Sequence, residues 1–393
     1  MERLKIVHVT PFYHFHINGV ANVTRNIAER LARLGHEIHV VSMARDYDGN
    51  QIGPLNEEVN GVRVHRLPSV LDYRNEGGVI RGLGELIRRL RPNIVHLHCY
   101  RHPHSVLGAI AARRIGAKVL LHGHSPFHDQ RFIPKLQFSY YVFHDIFFPP
   151  ILKHIYDRII AIHPGEAEAY MRLGFSPRKI RVIPNGVDSL FFEEKDPSPF
   201  LETYDIPLNR PIILNLARID PQKGTHAFIK VIEIVADRYP DVLGIIVGSC
   251  PSMFDYYRKM LESLVVKMGL ENNVMLLGWL PDELKPSAYR ASKIYVLPSL
   301  AEGLSLTVLE ALASGTPVIT TTVGGNSFVI KDGVNGYLVQ PIDVKAIADR
   351  TIHLLRNEKN LLEMSREARL EAMKHRWHII VSEIENEYFE LVD

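Results

Sequence analysis

Two glutamates, Glu302 and Glu310, lie eight residues apart in the last third of the chain, and Gly303 directly follows the first. The apolar pattern after Gly303 predicts a helix over Leu304 to Ser314, whose first backbone N–H groups attract anions because they lack partners inside the helix. At about 100° per residue, this spacing leaves the carboxylates roughly 80° apart around a helix. Ionised carboxylates only accept hydrogen bonds, so the pair suits hydroxyl groups and the helix start suits a phosphate.

An isolated pair of this kind would ordinarily be one solvated loop glutamate and one glutamate on a helix face. The surrounding residues favour a ligand site instead. After Glu310 the chain continues Ala-Leu-Ala-Ser-Gly-Thr-Pro-Val-Ile, then Gly324-Gly325, and then DGVNGYLV from Asp332. This segment resembles the signature of the retaining GT-B glycosyltransferases of family 4, the glycosyl transferases group 1 type. The resemblance covers nearly the whole chain.

The resemblance implies an α/β protein with the GT-B fold, in which two Rossmann-like doubly wound parallel-sheet domains face a central cleft. In that family the first glutamate, here Glu302, contacts donor-sugar hydroxyls, and the second, here Glu310, holds the nucleotide ribose. Gly303 lies beside them in the motif. The chain departs from the family at Leu304-Ser305, where many members have an aromatic residue and a glycine.

Length and composition agree with a two-domain globular protein: 393 residues, of which 46% are hydrophobic and 23% charged. A net charge of only +2 does not indicate a nucleic-acid partner. Cys99 and Cys250 have no CxxC or zinc spacing, and the N-terminus enters an apolar strand without a secretory pattern. We therefore expect a cytoplasmic protein, and peripheral contact with the cytoplasmic face of a membrane stays open.

Short β-branched segments alternate with helical patterns along the chain, which favours parallel sheets covered by helices. The turn from Ile183 to Asp188 separates two groups of segments. We predict domains over residues 1–187 and 188–372, followed by a helix in 373–393 that in the resembling family crosses back onto the first domain. Strands are predicted at 4–9, 37–43, 94–98, 118–121, 158–162, 212–216, 243–247, 273–276, 294–297 and 317–320.

The segment from Leu214 to Gly224 reads LNLARIDPQKG and places Arg218 and Lys223 around a strand-to-helix turn. It resembles the family's donor-phosphate motif, which implies that these two cations bind the diphosphate. A guanidinium offers a planar fork and an ammonium a compact charge, and together they can neutralise a leaving nucleotide. Without the motif, the plainer explanation is two exposed surface cations.

Two further strand ends resemble donor-binding turns of the family. The segment from Ile246 to Pro251 aligns with a Gly-x-Gly-Pro turn, in which Gly248 matches and Cys250 replaces the second glycine. The next aligned segment is one whose backbone contacts the nucleotide base, a role that does not identify the base from side chains. It comprises Leu277, Gly278, Trp279 and Leu280.

His122 ends an apolar strand and matches a family histidine that lies near the transferred sugar, although a lone histidine is more often structural. Gly19 matches one of two family glycines in the first strand-to-helix loop, whereas Asn18 departs from the second. His96 and His98 alternate on one strand face as metal ligands do. The sequence shows no third ligand, so we expect a packed or cleft-lining pair rather than a metal site.

Together these matches imply a retaining hexosyltransferase that uses a nucleoside-diphosphate sugar, UDP- or GDP-sugar first, and a glycan or lipid-linked acceptor. Front-face attack in the cleft needs no metal or other cofactor. The predicted catalytic residues are His122, Arg218, Lys223 and Glu302. The predicted donor-binding residues are Gly19, Arg218, Lys223, Gly248, Leu277, Gly278, Trp279, Leu280, Glu302, Gly303, Leu304, Ser305 and Glu310.

Other functions share parts of this pattern. A sugar-nucleotide epimerase or a glycoside phosphorylase can have the same architecture, and a catalytically silent relative would bind the donor without transferring its sugar. A Rossmann dehydrogenase is disfavoured because no G-x-G-x-x-G turn follows the first strand.

Two segments of the first domain are candidates for acceptor or membrane contact. Apolar residues recur at helical spacing from Ile80 to Leu90 beside three arginines, which suits an anionic membrane, although packing against the sheet is expected. The segment from Phe127 to Phe148 is rich in aromatic residues, which suits a lipid-linked acceptor or buried packing.

Overall fold

The computed structural model describes residues 3–14, 18–46, 49–70, 78–127 and 135–393. The chain forms two compact α/β units. Unit 1 comprises Met1–Asn185 and Trp377–Asp393, and unit 2 comprises Gly186–Arg376. The chain therefore changes unit two residues before the predicted boundary at 187 and four residues after the one at 372.

Unit 1 contains an eight-stranded sheet with strand order β10-β9-β8-β7-β1-β2-β4-β3, parallel throughout except for the β3–β4 pair. The central strands β1 and β7 are buried on both faces, which explains their largely apolar sequences. A small antiparallel pair, β5–β6, lies apart. The strands are β1 Lys5–Val9, β2 Glu37–Met43, β3 Asn56–Val59, β4 Val62–Leu67, β5 Ser69–Val70, β6 Val79–Ile80, β7 Ile94–His98, β8 Lys118–His122, β9 Arg158–Ala161 and β10 Ile180–Val182.

Helices connect many of the strands of this sheet. The first begins where Asn18 caps it, because the Asn18 side chain accepts a hydrogen bond from the backbone N–H of Ala21 at 2.7 Å. The helices of the first part of the chain are α1 Gly19–Arg33, α2 Leu83–Leu90, α3 Pro103–Arg114, α4 Lys135–Phe147, α5 Pro149–Ile155 and α6 Pro164–Arg172.

Unit 2 contains a six-stranded, fully parallel sheet with strand order β13-β12-β11-β14-β15-β16. Its strands are β11 Ile212–Leu216, β12 Leu243–Val247, β13 Val274–Gly278, β14 Ile294–Leu297, β15 Val318–Thr321 and β16 Gly336–Val339. Its helices are α7 Ser198–Thr203, α8 Thr225–Ala236, α9 Asp255–Lys267, α10 Lys285–Ala291, α11 Leu306–Ala313, α12 Asn326–Val329, α13 Val344–Arg356 and α14 Glu358–Met373.

The last helix, α15 Trp377–Val392, packs within unit 1. Glu385 accepts a hydrogen bond from His36 at 2.7 Å, and Glu387 pairs with Arg158 at 2.8 Å. The hydroxyl of Tyr388 contacts Nδ1 of His96. These buried polar contacts tie the end of the chain to the sheet of its first part.

The ten strands predicted from the sequence are confirmed to within two residues at each end. The expectation of parallel sheets is confirmed, with one antiparallel pair, β3–β4, at the edge of the unit 1 sheet. Among the parallel strands, the order reverses between β1 and β7 in unit 1 and between β11 and β14 in unit 2. Open α/β sheets bind ligands beyond the carboxyl ends of strands at such points.

One glycine contact makes a testable prediction about stability. Gly324 has a φ of +56°, and a Cβ there would lie 2.0 Å from the backbone oxygen of Glu302. We expect Gly324→Ala to destabilise unit 2 by about 2–5 kcal/mol, through left-handed strain and overpacking together. Urea unfolding measures the loss.

Gly333→Ala is the matched control, because Gly333 also has a positive φ, +75°, but no atom lies within 4 Å of its Cβ position. Strain alone should cost this variant about 1–2 kcal/mol. Equal losses in the two variants would contradict the close packing of Gly324 against the Glu302 loop.

Candidate functional site

The turn after β11 and the loop after β14 meet at the point where the sheet of unit 2 reverses its order. The backbone N–H of Leu300 donates to the oxygen of Gln222 at 2.7 Å. Gly224 has a φ of +69°, and a Cβ there would lie 2.1 Å from the backbone oxygen of Pro298. Only glycine permits this approach, and the turn and the loop therefore present their side chains together.

Lys223 and Glu302 form an ion pair across these two segments. The Lys223 ammonium lies 2.8 and 2.9 Å from the two carboxylate oxygens of Glu302. The hydroxyl of Ser299 donates to the same carboxylate at 2.6 Å. The Glu302 side chain is 5% exposed and that of Lys223 is 20% exposed. The structure thus brings two predicted catalytic residues into direct contact.

Arg218 follows β11 and is oriented by a buried carboxylate. Its Nε donates to Asp220 at 2.7 Å, and the other oxygen of Asp220 accepts the backbone N–H of Gln222 at 2.8 Å. The Arg218 side chain is 45% exposed, whereas Asp220 is buried. A positively charged group is therefore held at the surface in a defined orientation.

Glu310 lies on the buried face of α11. The hydroxyl of Tyr289 donates to its Oε2 at 3.0 Å. Burial raises the pKa of the Glu310 carboxyl to about 7, and the charge of Lys285 opposes this shift. Burial also raises the pKa of Tyr295, and the carboxylates of Glu302 and Glu310 raise it further. Both carboxylates therefore act electrostatically on one tyrosine.

The predicted helix over Leu304 to Ser314 is wrong at its start, since α11 begins at Leu306. Ser305 is the N-cap, and its hydroxyl accepts the backbone N–H of Val308 at 3.4 Å. Leu304 is buried beside the Gly303 backbone, whose oxygen accepts the N–H of Gly325 at 2.5 Å. Ser305, at a position where many family members have a glycine, therefore has a structural role as the cap of α11.

The two remaining turns that the sequence analysis predicts to bind the donor lie at the ends of β12 and β13. The N–H of Gly248 donates to the oxygen of Gly278 at 2.7 Å, and a Cβ on Gly248 would lie 1.8 Å from the oxygen of Ala217. Cys250 does not adopt a positive φ, so the turn accommodates this replacement of glycine. After Gly278, Trp279 is exposed and Leu280 is buried, while Leu277 is half-buried.

His122 and Gly19, the predicted site residues of the first domain, both lie in unit 1. His122 ends β8 and is buried, and burial lowers its pKa to about 3, so the imidazole is neutral at pH 7. Gly19 is the first residue of α1 and is exposed, with open space at its Cβ position. Asn18, which replaces a family glycine, is explained by its capping bond.

The sequence shows no third ligand beside His96 and His98, whereas the structure brings a third histidine to them from another strand. His8 on the adjacent strand β1 places its Nδ1 3.0 Å from Nε2 of His98, and the three residues each offer one nitrogen within 4.8 Å of the others. A second group of three consists of His98, His122 and His124. The carboxyl edge of the unit 1 sheet therefore concentrates imidazoles.

The two segments considered for membrane contact differ in exposure. Ile80, Leu83 and Ile87 are buried in the core of unit 1, which confirms that α2 and the preceding strand β6 pack against it. On α4, by contrast, Phe143 and Phe147 are about half exposed, and their rings lie 4.8 Å apart. Residues 128–134 of the second segment lie outside the described residues. Within the described ranges, no helix has both the length and the apolar character needed to cross a bilayer.

Sequence reasoning missed the residues that position the site. Tyr289 on α10 is distant in sequence from Glu310, and no local pattern connects them. Asp220 and Ser299 carried a detectable signal, because each lies in a turn directly beside a predicted site segment. Their types, a carboxylate beside an arginine and a hydroxyl near a glutamate, are those expected of positioning groups.

Two family models match consecutive parts of the chain: Glycosyltransferase Family 4 over residues 17–189 and Glycosyl transferases group 1 over residues 200–371. The chain is 27% identical over 379 residues to UDP-Gal:alpha-D-GlcNAc-diphosphoundecaprenol alpha-1,3-galactosyltransferase of Escherichia coli, covering 94% of this chain and 92% of that protein. It is 26% identical over 395 residues to N-acetyl-alpha-D-glucosaminyl L-malate synthase of Bacillus anthracis, covering 96% and 95%.

Among solved structures, Anabaena Alr3699/HepE in complex with UDP and glucose matches with a TM-score of 0.81 at 18% identity, over 99% of this chain and 100% of that one. This likeness confirms the fold class expected from the sequence. The two family models together span most of both units. The chain therefore belongs to the group 1, family 4 type of GT-B glycosyltransferases.

Proposed function

We propose that this chain is a retaining glycosyltransferase that moves a hexose from a nucleoside-diphosphate sugar to a glycan or lipid-linked acceptor. The observation that carries the proposal is the Lys223–Glu302 pair beside Arg218, where one edge of the unit 2 sheet presents cations and a carboxylate together. Cations suit a diphosphate, and a carboxylate suits sugar hydroxyls. A sugar nucleotide contains both groups.

In this proposal the donor replaces the contact between Lys223 and Glu302. Phosphate oxygens accept hydrogen bonds from the Lys223 ammonium, and Glu302 then accepts them from hydroxyls of the sugar. Asp220 occupies Nε of Arg218, so the two Nη groups are directed at the diphosphate. These cations neutralise the charge that develops on the leaving diphosphate, which is the role a metal ion has in other transferases. The reaction therefore needs no metal.

Glu310 is assigned to the ribose hydroxyls, and the segment from Leu277 to Leu280 to the base. We place a UDP-sugar first among donors, because the Escherichia coli relative is named for UDP-Gal and the Anabaena structure contains UDP and glucose. GDP-sugars are second.

Retention of configuration is assigned to front-face attack. The bond between the anomeric carbon and the phosphate oxygen breaks, the acceptor oxygen bonds to that carbon on the same face, and the acceptor proton moves to the departing phosphate oxygen. This route requires no covalent nucleophile. His122 is assigned to the transferred sugar, which it can contact as a neutral imidazole, and Gly19 to the donor phosphates.

A lipid-linked acceptor is supported by the exposed aromatic face of α4 in unit 1. Phe143, Ile146 and Phe147 are each more than half exposed there. An apolar patch of this kind suits an acyl or polyprenyl chain. The Escherichia coli relative is named for a diphosphoundecaprenol acceptor. With such an acceptor, we propose that the reaction takes place at the cytoplasmic face of a membrane.

Removing the Arg218 guanidinium tests the diphosphate assignment. The donor is first chosen as the sugar nucleotide that gives the largest thermal shift, since a ligand at 100 times its Kd stabilises by about 2.7 kcal/mol. Arg218→Ala should then release nucleoside diphosphate from that donor about 30-fold to 150-fold more slowly, because about 2–3 kcal/mol of charge-assisted bonding is lost.

Transfer to water serves as the readout while the acceptor is unidentified. Arg356→Ala is the control, because Arg356 is an exposed arginine in the last turn of α13. Near-normal release by a folded Arg218→Ala variant would refute the assigned role. A wild-type protein that binds the donor without releasing nucleoside diphosphate, even with acceptors added, would instead indicate a silent relative.

Glu310 predicts a pH dependence of donor binding. Only the ionised carboxylate accepts hydrogen bonds from both ribose hydroxyls, and its pKa is raised to about 7. Donor affinity should therefore rise between about pH 6 and pH 8 in the wild type and stay level in Glu310→Gln. Titration calorimetry with the chosen donor measures both profiles.

The same pKa predicts the opposite sign for stability of the unliganded protein. The folded state holds the Glu310 proton more tightly than the unfolded state, so ionisation destabilises the fold as pH rises from about 4.5 to 7. Glu310→Gln should gain on the order of 1–3 kcal/mol over the wild type above pH 7 and little at pH 4. Glu283→Gln, at an exposed glutamate, is the control. Identical profiles of stability against pH for the wild type and both variants would contradict the raised pKa of Glu310.

A further inference from the structure

A buried carboxylate on α6 lies outside the residues assigned to the proposed transfer. Glu166 is in the first turn of α6 and is 1% exposed. Its Oε1 accepts the backbone N–H of Ser125 at 2.9 Å, and its Oε2 accepts the backbone N–H of Ile162 at 2.8 Å. Glutamates are seldom fully buried without such compensation. The carboxylate thus joins the residues after β8 to those after β9.

The residues after β8, 123–126, are called the β8 segment and lie close against the start of α6. A Cβ on Gly123 would lie 2.2 Å from Oε1 of Glu166, so only glycine permits this approach. The hydroxyl of Ser125 also lies 2.9 Å from Nε2 of His163, the N-cap of α6. The start of α6 therefore holds the β8 segment through both its backbone and a side chain.

The β8 segment has an unfavourable backbone conformation. His124 and Ser125 are consecutive and both left-handed, with φ values of +59° and +52°. This conformation is unfavourable for residues that carry a Cβ, and it persists only where surrounding contacts impose it. The bond from the Ser125 N–H to Glu166 is one of those contacts. Backbone strain of this kind is concentrated at functional sites.

His122 connects the β8 segment to the proposed transfer. It directly precedes Gly123, and its ring stacks on that of His124 with centroids 4.2 Å apart. Among the described residues, neither ring nitrogen of His122 has a hydrogen-bond partner. Its orientation therefore depends on the residues packed beside it. A shift of the β8 segment would move the imidazole that is assigned to the transferred sugar.

We propose that Glu166 is a positioning residue for the sugar transfer, and that it holds the β8 segment in the conformation that aligns His122 with the sugar. This assignment rests on the proposed function. The ionised carboxylate accepts both backbone N–H groups, whereas a protonated carboxyl turns an O–H toward one of them. Protonation of Glu166 therefore weakens one of the two bonds and loosens the segment.

Glu166 is the group beside the β8 segment that changes its charge near neutral pH. Burial raises its pKa to about 7, although the N–H bonds from Ile162 and Ser125 oppose this shift. Burial lowers the pKa of the surrounding imidazoles and raises that of the surrounding phenols, so both are neutral at pH 7. The imidazoles are those of His122, His124 and His163, the phenols are those of Tyr100 and Tyr170, and the nearby cation is Arg101.

Glu166→Gln tests the assignment, because the amide keeps the shape of the side chain and offers one acceptor oxygen instead of two. At pH 8 and saturating donor, release of nucleoside diphosphate should fall about 10-fold, less than the roughly 100-fold cost of a 1 Å misplacement. The KM for the donor should change by less than about 2-fold, because the residues assigned to the diphosphate and the ribose are unaltered. Glu168→Gln, at an exposed glutamate of α6, is the control and should behave as the wild type does.

A pH profile separates positioning from a general loss of folded protein. The Glu310→Gln background removes the other carboxyl whose pKa is raised to about 7. In that background, turnover at saturating donor should rise between about pH 6 and pH 8. Adding Glu166→Gln should make the profile level, whereas a merely structural role would lower turnover by the same factor at every pH. Hydrogen exchange of residues 122–127 should also be faster in Glu166→Gln than in the wild type at the same pH.

Unchanged turnover in a folded Glu166→Gln variant would overturn the proposal, and so would a pH profile that Glu166→Gln does not alter. If Glu166→Gln fails to fold, the profile of the Glu310→Gln protein decides, and a level profile there would overturn the proposal. A wild type that binds the donor but releases no nucleoside diphosphate would contradict the proposed function itself. The two failures are therefore distinguishable.

Discussion

The ion pair between Lys223 and Glu302 couples the turn after β11 to the loop after β14, and the candidate donor site is arranged around it. Burying two charges costs several kcal/mol, and close geometry with further hydrogen bonds must offset that cost. Lys223 contacts both carboxylate oxygens of Glu302, and the hydroxyl of Ser299 donates a hydrogen bond to the same carboxylate. Together these contacts meet the requirement. Each charge of the pair can be exchanged for a matching group of a sugar nucleotide.

Backbone packing gives this pair its position. Gly224 permits the turn to touch Pro298, and Gly324 permits the next loop to touch the backbone of Glu302. Arg218 is fixed in turn by Asp220. The charged groups are thus oriented before any ligand arrives, which lowers the reorganisation needed when charge develops on a leaving group. In unit 1, the carboxyl edge of the sheet carries a group of histidines.

Local sequence patterns were sufficient for the parts of the fold that are locally determined. Continuous apolar segments predicted ten of the strands and not β3, β4, β5, β6, β10 or β16. The strand β3, with the polar sequence NEEV and alternating exposure, does not resemble a buried strand. The start of α11 was misplaced because apolar periodicity was given more weight than Ser305 as a cap. The contact of Lys223 with Glu302 spans 79 residues, and that of His8 with His98 spans 90. Both contacts follow from the order of the strands in the two sheets, and no local sequence pattern encodes that order.

A crystal structure of this chain with its nucleoside-diphosphate sugar would test the central claim most directly. The account predicts diphosphate oxygens within hydrogen-bond distance of Lys223 and Arg218, sugar hydroxyls on Glu302, ribose hydroxyls on Glu310, and a lengthened Lys223–Glu302 distance. A nucleotide bound elsewhere, with that ion pair still at its present distances of 2.8 and 2.9 Å, would contradict it.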